Sequence, residues 1–341
     1  MLQKFILVIR YLLFPISLLY GWVMALRNKL YDWGILKSTS FDRPIIAIGN
    51  LSVGGTGKTP HTEYLIRFIN KKYSLATLSR GYGRKTKGYI LADSSTNASQ
   101  IGDEPMQFFT KFPDISVAVC EDRVVGVKRL IEDVNPEIIL LDDAFQHRAI
   151  KAGFYILLTP FDSVFTDDFM MPTGTLREFA SGAKRANIII LTKCHLDNNL
   201  ECISDKIKYL KDLYKVKVYA SFVDYDEQLY GAFSQELKAL ENQKVVLITG
   251  IAQPKPFKEY IEKSIPLEAH LSFADHYNFT QTDVQKIVEN HPNATFITTE
   301  KDYMRLKEFE LIKDKLCYLP IKVKFIGESI DEVIENYINK S

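Results

Sequence analysis

The sequence predicts an α/β protein: a P-loop NTPase-type, mostly parallel sheet with helices on both faces, a second, smaller α/β domain, and an N-terminal membrane-associating helix. Three observations predict it. Short apolar runs of strand length alternate with helical patterns along most of the chain, as crossover-connected parallel strands buried on both faces require. One early run ends in a glycine-rich turn closed by Lys58 and Thr59, and a later one ends in Asp142 and Asp143. The chain has 341 residues, enough for roughly two domains.

Composition narrows the class. Lys plus Arg is 43 and Asp plus Glu is 42, a net charge of +1 that excludes a polybasic nucleic-acid coat. Hydrophobic residues at 46% and charged residues at 25% exclude wholesale disorder. Cys120, Cys194, Cys202 and Cys317 have no CxxC spacing, so they read as reduced thiols and not as a disulfide frame or zinc site. No nucleic-acid partner and no obligate protein partner is expected.

The elements follow in order. From Tyr11 to Leu26 there is no charge, with Lys4 and Arg10 before and Arg27 and Lys29 after. The run is shorter than the roughly 20 residues of a spanning helix, and Pro15, Ser17 and Gly21 interrupt it. On a helical wheel Gln3, Arg10, Ser17, Gly21 and Asn28 share one narrow stripe, and the other faces are apolar. Residues 1–30 are therefore expected to lie in a membrane interface, polar edge and basic ends toward the headgroups. The alternatives are a secretory signal, a short single span or a buried core helix. No A-x-A cleavage site follows, and a nucleotide motif argues against export.

Strands are expected at 44–50, 74–79, 116–120, 137–141, 154–158 and 188–191, with helices at 58–71, 104–112, 123–134 and 202–213. A second set has strands at 216–220, 244–249, 267–273, 295–299 and 318–323, and helices at 256–263, 281–290 and 330–339. The core domain is drawn at 31–215 and the second at 216–341, with the C-terminal helix able to return to the core. Residues 160–186 lack periodicity, and an irregular segment of that length is usually functional or mobile.

The strand ending at Asn50 runs into Ser52-Val53-Gly54-Gly55-Thr56-Gly57-Lys58-Thr59 and then a helix, the context a phosphate-binding loop requires. Its glycines let backbone N–H groups turn onto phosphate oxygens, and the helix N-terminus adds partial positive charge. Lys58 is expected on the β- and γ-phosphates and the Thr59 hydroxyl on Mg²⁺. Ser52 stands where the first glycine is usual, which a residue of negative φ can do. The strand at 138–141 ends in Asp142 and Asp143, the pattern of a Walker B strand that holds Mg²⁺ through water. Which carboxylate faces the metal is left open.

Further motifs narrow the choice: Ser79-Arg80-Gly81-Tyr82-Gly83-Arg84, Gly102-Asp103-Glu104-Pro105, Asp142-Asp143-Ala144-Phe145-Gln146-His147-Arg148, Pro172-Thr173-Gly174-Thr175-Leu176-Arg177-Glu178, Asp275-His276-Tyr277-Asn278-Phe279 and Thr299-Glu300-Lys301-Asp302. In this order, behind an apolar helix, the set closely resembles the tetraacyldisaccharide 4′-kinase family, the lipid A kinases of Gram-negative bacteria. The resemblance runs from the N-terminus to about residue 305. Phe179 replaces a Pro frequent in the family, and Ala144-Phe145 stands where some members carry Gly-Leu; neither change removes a polar group.

The resemblance implies an ATP- and Mg²⁺-dependent kinase. It would phosphorylate the 4′-hydroxyl of an acylated glucosamine disaccharide 1-phosphate to give lipid IVA. It further implies two α/β/α domains and peripheral or monotopic attachment to the cytoplasmic face of the inner membrane. Asp103 is implied as the proton acceptor, acting with His276 across the two domains, and Lys58 as the catalytic cation. Glu104 is expected to support the metal's water shell, and Gln146 and His147 to orient the γ-phosphate or the nucleophile. Arg123 and Arg177 suit a bidentate phosphate clamp. Arg80, with Arg84, Lys85 and Lys87, forms a basic cluster expected to meet lipid phosphate or headgroups.

Blander readings exist for each residue: a helix cap for Asp103, a structural imidazole for His276, a polar strand exit for Gln146 and His147, and a solvated loop for the basic cluster. Thr192-Lys193 and Glu300-Lys301-Asp302 read as structural. The competing function is a membrane-associated regulatory P-loop NTPase.

Overall fold

Ile45 to Asn50 alternates side chains onto two apolar layers, so this strand is buried on both faces and lies inside a sheet. In the computed structural model, which describes residues 12–195, 200–275 and 277–340, the chain divides into two compact units. These are Met1–Val223 with Val323–Ser341, and Asp224–Lys322.

The first unit opens with helix α1 (Phe14–Asp32), started by Pro15 in its first turn. Strand β1 (Ile45–Asn50) leads to α2 (Lys58–Ile69), β2 (Leu75–Ser79), β3 (Ile90–Leu91), α3 (Ala98–Ile101), α4 (Asp103–Lys111) and β4 (Ser116–Val119). Then come α5 (Arg123–Asp133), β5 (Ile138–Leu141), β6 (Phe154–Pro160), β7 (Ile188–Thr192), α6 (Leu200–Tyr214) and β8 (Lys217–Tyr225). The second unit carries β9 (Gln228–Gly231), β10 (Gln235–Glu236), β11 (Val245–Thr249), α7 (Lys255–Ser264), β12 (Ala269–Ser272), α8 (Gln281–Asn290), β13 (Thr295–Thr299), α9 (Glu300–Leu306), α10 (Glu310–Lys313) and β14 (Leu316–Leu319). The chain ends with β15 (Ile321–Ile326) and α11 (Asp331–Ile338).

The larger sheet has the order β15-β8-β7-β6-β1-β5-β2-β4-β3. From β8 to β4 every neighbouring pair is parallel, and β3 is antiparallel to β4. Ile46 and Ile48 face a layer with Leu65, Ile66 and Ile69 of α2, Phe108 of α4, and Ile334 and Ile338 of α11. Ile45 and Ala47 face the opposite layer with Val127 and Leu130 of α5. The smaller sheet has the order β10-β9-β14-β13-β11-β12, parallel from β14 to β12.

Two strand expectations are corrected. The run at 216–220 does not open the second sheet: β8 pairs parallel with β7, Ile188 opposite Lys217, so it extends the first. Its buried Tyr219 and Ala220 join the two apolar layers of that sheet. The run at 318–323 is two strands, β14 and β15, split at Pro320, which has no N–H to continue a ladder. The compact units part at 223/224 and 322/323, where the sequence placed its break at 215/216.

The stripe of α1 faces inward. Ser17 and Gly21 are buried; Ser17 Oγ donates to Thr173 Oγ1 at 2.8 Å, and a Cβ on Gly21 would lie 2.5 Å from the Phe179 ring. Asn28 donates to Glu178 at 2.8 Å. The apolar faces point outward, with Leu19 67%, Trp22 71% and Leu26 57% exposed. Gln3 and Arg10 lie outside the described residues. No described helix is long and apolar enough to cross a membrane.

Candidate active site

The phosphate loop leaves β1 at the middle of the sheet. Ser52 pairs with Leu176 as an antiparallel bridge, an extended conformation that needs no glycine. The Val53 amide donates to the Thr175 carbonyl and the Arg177 amide to the Leu51 carbonyl, both at 2.8 Å. Part of the irregular region at 160–186 thus lines the start of the loop. Gly54 and Gly57 have φ of 108° and 90°, the left-handed region where a side chain is strained. Val53, Gly54 and Gly55 are exposed, and Thr56 is buried beneath them.

Lys58 Nζ donates to Asn50 Oδ1 at 3.4 Å and lies 3.9 Å from Asp143 Oδ1. Thr59 Oγ1 donates to Glu104 Oε1 at 3.0 Å, which docks the first turn of α4 beside the loop. Asp103 is half-buried in that same turn, behind Gly102 with φ of 94°. Asp142 and Asp143 come from β5, the strand next to β1, and their environments differ. Asp142 is 2% exposed and accepts from Thr62 Oγ1 at 3.0 Å. Burial, then the nearby Glu104 and Asp143 charges, push its carboxyl up to about 7. Asp143, at φ of 47°, is also raised by burial, but Lys58 and Arg177 together hold it below the usual carboxylate range. Arg177 donates to Asp143 Oδ1 at 2.9 Å and to the Asn50 carbonyl at 3.0 Å.

Arg123 is 2% exposed and spends its guanidinium on carbonyls: Cys120 at 2.8 Å, Glu121 at 3.3 Å and Asp142 at 3.5 Å. That makes it a brace for the acidic strand end. Its own amide donates to His147 Nε2 at 3.3 Å. Burial, then the positive charge of Arg123, lower the His147 pKa to about 4, with Arg27 and Arg80 adding to the effect. Arg80 is itself exposed. Gln146 Nε2 donates to the Asn50 carbonyl at 2.8 Å and to Glu178 Oε1 at 3.0 Å, so it ties β1 to the loop after β7's partner segment. Arg84 is engaged by Glu121 and the Gly88 carbonyl, while Lys85 and Lys87 are exposed. His276 lies outside the described residues.

The structure thus gathers Lys58, Thr59, Glu104, Asp142, Asp143, Arg177, Gln146, Arg123 and His147 around the end of β1. It adds residues that sequence reasoning missed. Asn50 bonds Lys58 and Arg177; its only signal is its place as last residue of the strand. Glu178 is 1% exposed and accepts from Asn28, Gln146 and Arg185 at 2.8, 3.0 and 2.8 Å. Its signal was its position directly after Arg177. Among the described residues no three His, Cys, Asp or Glu side chains converge as a metal cage.

A central parallel strand, a glycine loop, a helix and a neighbouring strand ending in acids define a P-loop nucleotide-binding protein of the α/β class. The model of the LpxK family, tetraacyldisaccharide-1-P 4′-kinase, matches residues 9–339. The chain belongs to that family. It is 48% identical over 338 residues to a tetraacyldisaccharide 4′-kinase of Flavobacterium johnsoniae, covering 98% of each chain. To the Bacteroides thetaiotaomicron protein of the same name it is 41% identical, covering 96% of this chain and 92% of the relative. It also superposes on a crystal structure of LpxK from Aquifex aeolicus in complex with ATP. The TM-score is 0.79 at 28% identity, covering 97% of this chain and 99% of the other.

Proposed function

We propose that this protein is a kinase that transfers the γ-phosphate of ATP to the 4′-hydroxyl of tetraacyldisaccharide 1-phosphate, forming lipid IVA. The observation that carries the proposal is the junction of β1, β5 and α4 in a chain matched to this family over nearly its whole length. There the Thr59–Glu104 bond ties the phosphate loop to the Asp103 turn, and the Thr62–Asp142 bond and the Lys58–Asp143 pair tie α2 to the acidic strand end.

The residues fit a divalent metal of the Mg²⁺ kind. Thr59, Glu104 and Asp142 are hard oxygen donors, and Mg²⁺ typically takes one or two carboxylates plus phosphates and water. Asp142 is raised by burial and by Glu104, which outweigh the pull of Lys58, whereas Asp143 faces both Lys58 and Arg177 in ion pairs. We therefore assign the metal to the Asp142–Glu104–Thr59 side and Asp143 to holding Lys58 and Arg177. When bound, the ion neutralises charge on the phosphates. Lys58 and the loop amides hold the triphosphate in line, and Asp103 accepts the sugar proton as the oxygen attacks. Arg123 and Gln146 brace the strand ends; His147, Arg177 and Arg80 are the residues we assign to contact with phosphate of either substrate.

The outward apolar face of α1 supports attachment to a lipid surface, where the acylated acceptor resides. The cytoplasmic face of the inner membrane is the side that supplies ATP. Incubation of the purified protein with γ-labelled ATP, Mg²⁺ and acylated disaccharide 1-phosphate tests the reading. Label should move to the lipid; ATP hydrolysis without labelled lipid would favour a regulatory NTPase instead.

A further inference from the structure

Pro60 has no N–H, so in the first turn of α2 the Thr56 carbonyl lacks the donor that a residue four places on would give. The Thr192 hydroxyl, at the end of β7, donates to it at 2.8 Å. The next carbonyl, that of Gly57, receives the His61 amide at 3.3 Å and a shorter contact from His61 Nδ1 at 2.7 Å. A carbonyl only accepts, so Nδ1 carries the proton. Nε2 is then the acceptor and faces the Ser221 hydroxyl of β8 at 2.9 Å. His61, Thr192 and Ser221 are 3%, 0% and 0% exposed, out of reach of bulk water.

A trans peptide is planar, so a carbonyl and the N–H of the following residue point in opposite directions. Drawing the Thr56 carbonyl toward β7 turns the Gly57 N–H the other way. Drawing the Gly57 carbonyl toward His61 does the same for the Lys58 N–H. Gly57, with φ of 90°, is a point where the chain would otherwise turn freely.

We propose that His61 and Thr192 are positioning residues that fix two peptide planes of the phosphate loop, so that the Gly57 and Lys58 amides are aimed at phosphate before nucleotide arrives. Ser221 locks the His61 ring in the orientation this requires. The inference deepens the kinase reading and rests on it, since it takes the loop to be the nucleotide site. Donors held in place in advance avoid an ordering cost on binding. The grip acts on bound substrate and transition state alike, so its loss falls on nucleotide affinity and KM more than on kcat.

Titration calorimetry with ADP and Mg²⁺, beside steady-state kinetics, tests this on the full-length chain. Thr192→Val keeps the shape and removes the hydroxyl; His61→Leu removes both ring bonds. Each should raise the ADP Kd and the KM for ATP about tenfold, the effect of one lost hydrogen bond, with kcat within about threefold. His61→Asn, whose amide N–H reaches the place of Nδ1–H, should restore the Kd to within about threefold of wild type. A purely structural role would lower the melting temperature of the variants while leaving Kd and KM unchanged, and that result overturns the inference. If His61→Leu fails to fold, Thr192→Val decides alone, and an unchanged ADP Kd overturns it. Wild-type protein that binds no ADP overturns the nucleotide reading itself, and the inference with it.

Discussion

Asp142 and Asp143 are adjacent, yet one is buried beside Glu104 and the other is held between Lys58 and Arg177. Sequence could name the pair because a strand end followed by acids is a local pattern. It could not divide their roles, because Thr62, Glu104, Lys58 and Arg177 reach them only through the fold. Asn50 and His61 were illegible for the same reason. Three predictions belong at this scale. Asp103→Ala should lower kcat at least about a hundredfold, the usual yield of a general base, with ADP Kd unchanged by calorimetry; a full rate would end its role as proton acceptor. Lys58→Ala should weaken both turnover and triphosphate binding, and unchanged kinetics would remove it from the phosphates. The third concerns pH. The native state keeps His147 neutral down to about 4, whereas the unfolded chain protonates it below about 6.5. Stability is therefore lost as pH falls through that window. His147→Gln should remove that part of the acid loss, on the order of 1 kcal/mol after allowing for partial exposure. Parallel melting-temperature curves of the two proteins from pH 7 to 4 would contradict it.

At the scale of elements, α2 and α4 bring the loop and the Asp103 turn together. Glu63 of α2, 1% exposed, accepts from Arg67 at 2.9 Å, Lys111 at 2.7 Å and Gln107 at 2.7 Å, the latter two on α4. A carboxylate with this many donors is stable when buried, but removing it leaves positive charge uncompensated. Glu63→Ala should cost about 3–5 kcal/mol in urea unfolding; a change below about 0.5 kcal/mol would show that the helices are held by apolar packing alone. Helix α1 was legible as an apolar helix, because its composition is local. The direction of its polar stripe was not, since Thr173, Phe179 and Glu178 are supplied by a segment some 150 residues away. With the apolar face outward, Trp22→Glu combined with Leu26→Glu should reduce flotation with anionic vesicles severalfold. Undiminished flotation would place the attachment elsewhere.

For the whole molecule, the main crossover strands and helices were readable because each unit is short and strongly patterned; the short strands β3, β9 and β10 and the short helices α3, α9 and α10 were not. The division of the sheets was harder. An apolar strand such as β8 carries no label for which sheet it extends, and Pro320 parts two strands that hydrophobicity merges. On the proposed reading, one arrangement of β1, β5 and α4 delivers a phosphoryl group to a single sugar hydroxyl of a lipid. Phosphorus NMR of the purified product measures this most directly. A new phosphomonoester on the 4′ carbon is expected, with the 1-phosphate intact and less product from Lys58→Ala. A diphosphate at position 1, a phosphate on another hydroxyl, or inorganic phosphate alone would contradict it.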